Sequence, residues 1–362
     1  MHPLPPILLL IAILVSAPAL QARAEPPSSK TIRQWTGSCD NHRACSAFGF
    51  ATTVDETMIG AWIRLDRQGD ADAFPSLSLG FSLADGGDDT PKTLVLAAKG
   101  GPSFGPFAIE EGDNFFRAPV PADNVPAILA LLRKVDFLTL AVTKAEGSPI
   151  EATLSLDGAS AAMLWLDDEQ QRIGTKTALV KRGAKPASAI PPVPALPVIQ
   201  AAASTAEVPQ TLPNSVLELA KTGDCADAMD QIEPIVADLG GGRRLYGALC
   251  GSGAYSFSAQ FWIAGSDGVP AKASFVLPPA LASSDDEGGG LEEQGILINP
   301  SFDEKTMTLS AFAKGRGIAD CGETEDWVWD GEAFRLSSYT AMTDCQGVPP
   351  GEWPVMYRAE VR

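Results

Sequence analysis

Through the second half of the chain, apolar and polar positions alternate in short runs broken by glycine, proline and aspartate. The runs are RLYGALCG (244–251), YSFSAQFWIAG (255–265), AKASFVLP (271–278), TMTLSAFAK (306–314), WVWDGEAFRL (327–336) and WPVMYRAEV (353–361). Strand side chains repeat every two residues, so the pattern predicts about seven strands. Within WVWDGEAFRL, Asp330-Gly331 has the composition of a two-residue hairpin turn, and Trp327 and Trp329 fall on one face. SVLELAKTGDCADAMDQI (215–232) precedes these runs and reads as a helix. The expectation is an antiparallel β barrel or sandwich with a helical cap.

The first half mixes periods. LVLAAKG (94–100), IEATLSL (150–156) and TKTALVK (175–181) read as strands. DNVPAILALLRK (123–134) reads as a helix, capped by Asp123 or Asn124, with Pro126 in the first turn where proline is tolerated. A second helix starts near Asp157, with Ala159, Ala162, Met163 and Leu166 on one face, and ends before Gly174. The fold class is α+β, mainly β, in two domains, the first a mixed β-sheet with two helices. Between them, residues 184–213 contain seven prolines and only two charged residues, Lys185 and Glu207. Proline lacks the amide that a ladder needs, so this segment reads as an extended, semi-rigid spacer. The expected domains are 25–183 and 214–362, the second carrying four of the cysteines.

The first residues place the chain. ILLLIAILV (7–15) is too short for a bilayer, which takes about 20 residues. It is followed by Ala22-Arg23-Ala24, and together they read as a signal peptide, residues 1–24. No lysine or arginine precedes the apolar run, which departs from the usual pattern. No later stretch reads as a membrane helix, so no membrane insertion of the mature chain is expected. In an exported chain an even number of cysteines favours disulfides. Position along the chain pairs Cys39 with Cys45, Cys225 with Cys250, and Cys321 with Cys345. Cys39, His42 and Cys45 supply three of the four ligands that zinc takes, so a metal would need a residue from elsewhere. The staple is the preferred reading, with neither metal nor cofactor.

Charge and missing residue types limit the chemistry. The net charge is −18, with 45 acidic residues against 27 basic ones. Such a surface repels nucleic acid and anionic lipid. After residue 24 the only histidine is His42, so the residue most used as a general base near neutral pH is scarce. Gly101-Pro102-Ser103-Phe104-Gly105 matches a nucleophile elbow, but Pro106 follows where a helix is required and no histidine lies downstream. Gly315 and Gly317 lack the third glycine of a dinucleotide loop. Asp285, Asp286, Glu287, Glu292 and Glu293 share one loop without EF-hand spacing and read as a solvated acidic loop. Lys314 and Arg316 stand close together in an acidic half and form a candidate binding surface with Trp327 and Trp329.

WTGSCDNHRACSAFGF (35–50), RIGTKTALVKRG (172–183), INPSFDEKTMTLSAFAKGRGIADCG (298–322) and WVWDGEAFRL together resemble a bacterial domain-of-unknown-function family, number eleven seventy-six. That resemblance implies a periplasmic envelope protein of Gram-negative bacteria and supplies no catalytic residues. Trp35, Cys39 and the small-residue helix also resemble, more faintly, the invasion-associated protein B family. The expected function is a non-enzymatic binding or accessory module whose partner is an envelope protein or glycan. The alternatives are a carboxylate-based hydrolase of envelope glycans and an acidic inhibitor-like protein binding a basic partner.

Overall fold

Eleven strands of the first half form one antiparallel sheet. Its order is Ser103–Ala108, Pro91–Ala97, Phe137–Lys144, Ile150–Ser155, Cys45–Val54, Met58–Arg67, Ser76–Leu83, Phe115–Pro119 and Glu110–Gly112. The hairpin of Ser28–Ile32 and Trp35–Cys39 joins along Cys45–Val54. The two end strands, Ser103–Ala108 and Glu110–Gly112, are consecutive in the chain, so the sheet curls into a nearly closed barrel. The computed structural model describes residues 26–84, 91–112, 115–144, 148–204, 206–222, 225, 233–279, 281 and 295–362. The signal segment and the acidic loop at 285–293 lie outside the described residues.

Inward positions of the barrel strands, such as Ile63, Leu65, Leu79, Leu96, Leu140 and Leu154, are fully buried. Helices Val125–Leu131 and Ala159–Glu169 bury Ile128 and the predicted Ala159, Ala162, Met163 and Leu166 in the same cluster. The outward positions Phe48, Phe50 and Trp62 are buried as well. They form one cluster with Cys321, Met342, Val348 and Trp353 of the second half. Strands covered on both faces lose polar alternation. This accounts for the nearly continuous apolar character of SAFGFA (46–51).

The second half holds two mainly antiparallel sheets. One orders Ile235–Gly240, Arg243–Ser252, Phe257–Ala264 and Pro270–Lys272, with Ile296–Ile298 beside Phe257–Ala264. The other orders Phe275–Val276, Phe334–Met342, Gly322–Trp329, Thr308–Lys314 and Ser301–Asp303, with Val355–Arg358 beside Phe334–Met342. Leu245 and Phe261 from the first sheet share a core with Leu309, Trp327, Trp329 and Phe334 from the second. Helix Asn214–Thr222 covers the other side of the first sheet through Val216 and Ala220 against Trp262. Among the described residues no helix is long and apolar enough to cross a membrane.

Four local expectations are corrected. Residues 175–181 form turns with one bridge, Thr175 to Lys185, instead of a strand. There the chain folds around Asp167, whose carboxylate accepts the N–H groups of Leu179 and Val180 at 2.7 and 2.8 Å. Trp329 pairs with Phe334, so the WVWDGEAFRL loop has four residues rather than two. The Asp330 carboxylate widens it by accepting the N–H groups of Glu332 and Ala333. The proline-rich segment does carry a ladder: Val198–Ile199 pairs in parallel with Glu360–Val361. Ile190 and Ile199 are buried, and the carbonyl of Pro194 accepts from His42 Nδ1 at 2.7 Å. The extended conformation was legible from the prolines, but its carbonyls are used as acceptors. Finally, Trp327 and Trp329 do share a face, and that face is core.

Candidate functional site

The halves meet along a seam on the outer face of the barrel, and the seam leaves a cleft. Thr36 lies on strand Trp35–Cys39, between the buried Trp35 and Gly37, so its side chain faces outward. Its Oγ1 donates to Asp344 Oδ2 of the second half at 2.7 Å. Thr31, its cross-strand partner, places Oγ1 3.4 Å from Thr36 Oγ1. The connecting turn holds Arg33 at φ 58°, and its guanidinium pairs with Asp157 at 2.5 Å. Phe50, Ala51, Thr52 and Gln346 complete the lining of this open cleft, whose volume is about 310 Å³. That volume is at the lower end for small-molecule pockets. The lining is mostly hydroxyl, amide and guanidinium, with one carboxylate, Asp344. Glycoside hydrolysis by a carboxylate pair needs two such groups about 5–9 Å apart, and this lining supplies one.

The loop Asp344–Trp353 builds the cleft by docking on the barrel. A Cβ at Gly60 would lie 2.1 Å from the Gln346 carbonyl oxygen, so only glycine admits the loop there. Ser82 Oγ donates to the Gly347 carbonyl at 2.6 Å. Glu352 sits between two arginines, 3.0 Å from Arg64 Nη1 and 3.4 Å from Arg117 Nη1. Hydrogen bonding to Glu110 raises the Arg117 pKa, against some desolvation. Farther along the seam Asp40 pairs with Arg358 at 2.6 Å, and Asn41 exchanges two hydrogen bonds with the Arg358 backbone.

All six cysteines pair as expected, Cys39 with Cys45, Cys225 with Cys250 and Cys321 with Cys345. His42 therefore sits on a stapled turn and holds the proline-rich segment. Lys314 lies over the Phe312 ring at 5.4 Å. Arg316 is bidentate on Asp320 and donates to the Cys345 carbonyl at 3.1 Å. Burial pushes the Asp320 carboxyl up. The hydrogen bonds from Arg316 and the Gly347 N–H outweigh that and hold it below the usual carboxylate range. Asp320, Cys321 and Cys345 converge closely enough for a metal, but the two sulfurs are bonded to each other. Lys314 and Arg316 thus stand by the seam. Trp327 and Trp329 do not join them: both are at most 1% exposed. Their Nε1 atoms donate inside the fold, to Glu325 and to the Leu239 carbonyl. Ser103 begins a strand paired with Ala97. The residues that sequence reasoning missed are Thr31, Thr36, Asp344 and Gln346. Thr36 and Asp344 are 308 positions apart, and no local pattern links them.

An Escherichia coli (strain K12) protein, uncharacterized protein YpfG, is 29% identical over 349 residues, covering 91% of this chain and 93% of the relative. No solved structure matches. The family described as Protein of unknown function (DUF1176) matches residues 29–360, almost the whole chain, and this chain belongs to that family.

Proposed function

We propose that the chain is an exported, periplasmic binding module of the cell envelope, and that the seam cleft takes a hydroxyl- and amide-rich ligand of the glycan class. The observation that carries this reading is the cleft itself. Threonines from the barrel hairpin and Asp344 and Gln346 from the second half line one space of about 310 Å³. Thr31, Thr36 and Thr52 can each donate and accept, Gln34 and Gln346 do both through their amides, and Phe50 offers apolar surface. Three disulfides and the apolar run at the N-terminus support the periplasmic location. In this reading the two halves act as two units held together by the seam, and no bond is broken in the ligand.

The test is a titration of the oxidised chain with short N-acetylated amino-sugar oligomers, followed by NMR. Saturable shifts confined to residues around Thr36 and Asp344, weakened about tenfold or more in Asp344→Ala, are expected; a hydrogen bond to a charged group contributes about 1.5–3 kcal/mol. Absence of saturable shifts with any oligomer ends the glycan reading. Oligomer cleavage would replace the binding module with an enzyme.

A further inference from the structure

The loop Gln68–Pro75 joins two barrel strands and has no regular structure of its own, yet it is held from below by buried charge. Arg172 is fully buried. Its Nη1 donates to the Ala71 carbonyl at 2.9 Å, and its Nη2 to those of Gly69 and Asp70 at 3.3 and 2.5 Å. Arg67 Nε donates to the Ala73 carbonyl at 3.2 Å. Asp167, also fully buried, faces Arg67 at 3.7 Å. Burial, with Arg172 alongside, pushes Arg67 down to about 10, and burial lowers Arg172 as well. Gly69 is packed so closely that a Cβ would meet the His42 carbonyl oxygen at 2.5 Å.

Buried ion pairs are a poor way to gain stability, because desolvation offsets attraction. What two guanidiniums do well is satisfy several carbonyls of an irregular loop at once and so fix one conformation. This fixed loop presents Phe74 at 90% exposure, the most exposed large apolar side chain among the described residues. A single exposed apolar residue is by itself ordinary on a protein surface. On a loop held rigid it loses little entropy on binding, as an aromatic anchor does at an interface.

We infer that Gln68–Pro75 is a protein-docking finger, in which Phe74 enters an apolar pocket on a partner protein whose rim is basic. Asp70 and Asp72 are exposed beside Phe74 and would face that rim. The same carboxylates, on a chain of net charge −18, disfavour an anionic membrane or a second copy as the occupant. The finger is separate from the cleft lining, so this inference does not depend on the glycan reading.

The test places a benzophenone amino acid at position 74 of the full chain in its own host, with a control at Val269, which is 65% exposed. Light should yield one protein adduct at 74 that is absent at 269. The purified partner should then bind wild type at least about thirtyfold more tightly than Phe74→Ala. Its affinity should fall severalfold as salt rises, as for charge-complementary contacts. Phe74→Ala should melt with wild type, because the ring touches little, so its binding loss is not unfolding. Adducts only to lipid, only to a second copy, or no more than at 269 overturn the inference. So does a partner that binds Phe74→Ala as tightly as wild type, or whose affinity ignores salt.

Discussion

Neutralising one seam carboxylate gives the sharpest test of how the halves are joined. In Glu352→Gln the side chain keeps its length but loses the charge between Arg64 and Arg117. Exposed pairs contribute about 0–1 kcal/mol, whereas removing one partner of a buried pair costs about 3–5 kcal/mol. The Glu352 side chain is 6% exposed, Arg64 18% and Arg117 41%, so the site lies between those limits. Neither arginine is stranded, because Arg64 keeps Asp66 and Arg117 keeps Glu110, each at 2.8 Å. The expected loss is about 2–3 kcal/mol. Unfolding entropy is about 2.1 cal/mol/K per residue, so the roughly 340 residues after the signal segment, melting together, carry about 0.7 kcal/mol/K. Scanning calorimetry should then show one transition lowered by about 3–4 °C. If the halves melt separately, about half the residues carry the loss, and only the first of two transitions falls, by about 6–8 °C. A melting curve that coincides with wild type would refute a seam held by Glu352.

Three further outcomes follow from the same geometry. Gly60→Val should cost about 1–3 kcal/mol or more by overpacking and abolish ligand binding in the cleft, since the opposing atom is backbone and cannot rotate away; calorimetry and the oligomer titration check both. Removing the Cys321–Cys345 bridge as the double serine variant should cost about 3–4 kcal/mol for a loop of 24 residues, read from denaturant midpoints. Asp320 has a lowered folded pKa, so its ionised form adds stability above the usual carboxylate pKa that is lost as pH falls through the folded value; the gap in melting temperature between wild type and Asp320→Asn should therefore be constant near neutrality and close below about pH 4.

What the sequence made legible was local. The cysteine pairs close short rings, and position alone ordered them. Helix Ala159–Glu169 buries the face its apolar spacing marks. The shared face of Trp327 and Trp329 was legible because strand geometry is periodic. Whether that face is open was not, because periodicity does not say what packs on it. Here the opposite sheet does, through Leu245 and Phe261, while Phe275 of the tryptophans' own sheet meets Trp327 edge-on at 5.2 Å. The cleft was illegible for a related reason. Thr31, Thr36 and Asp344 are ordinary polar residues, and only the docking of one half on the other brings them together.

The stapled turn CDNHRAC shows how far residue type can mislead about role. Its cysteines and histidine suggest metal or redox chemistry, yet the residues between the cysteines hold other parts of the fold. Asp40 takes the Arg358 guanidinium, Asn41 takes the Arg358 backbone, and His42 takes Pro194. The Arg43 carbonyl accepts from Gln170 Nε2 at 2.8 Å, which ties the turn to the helix and, through Gln170 Oε1, to Arg172 under the Phe74 loop. A seven-residue ring can serve so many directions only if its backbone is fixed, and the Cys39–Cys45 bond fixes it. The segments that carry the family resemblance include this turn and the loop 314–322, and both sit at the seam. The resemblance therefore reports first on how the two halves are joined. Thr36 meets Asp344 only across that junction, whereas the Phe74 loop is held by Arg67 and Arg172 of the first half.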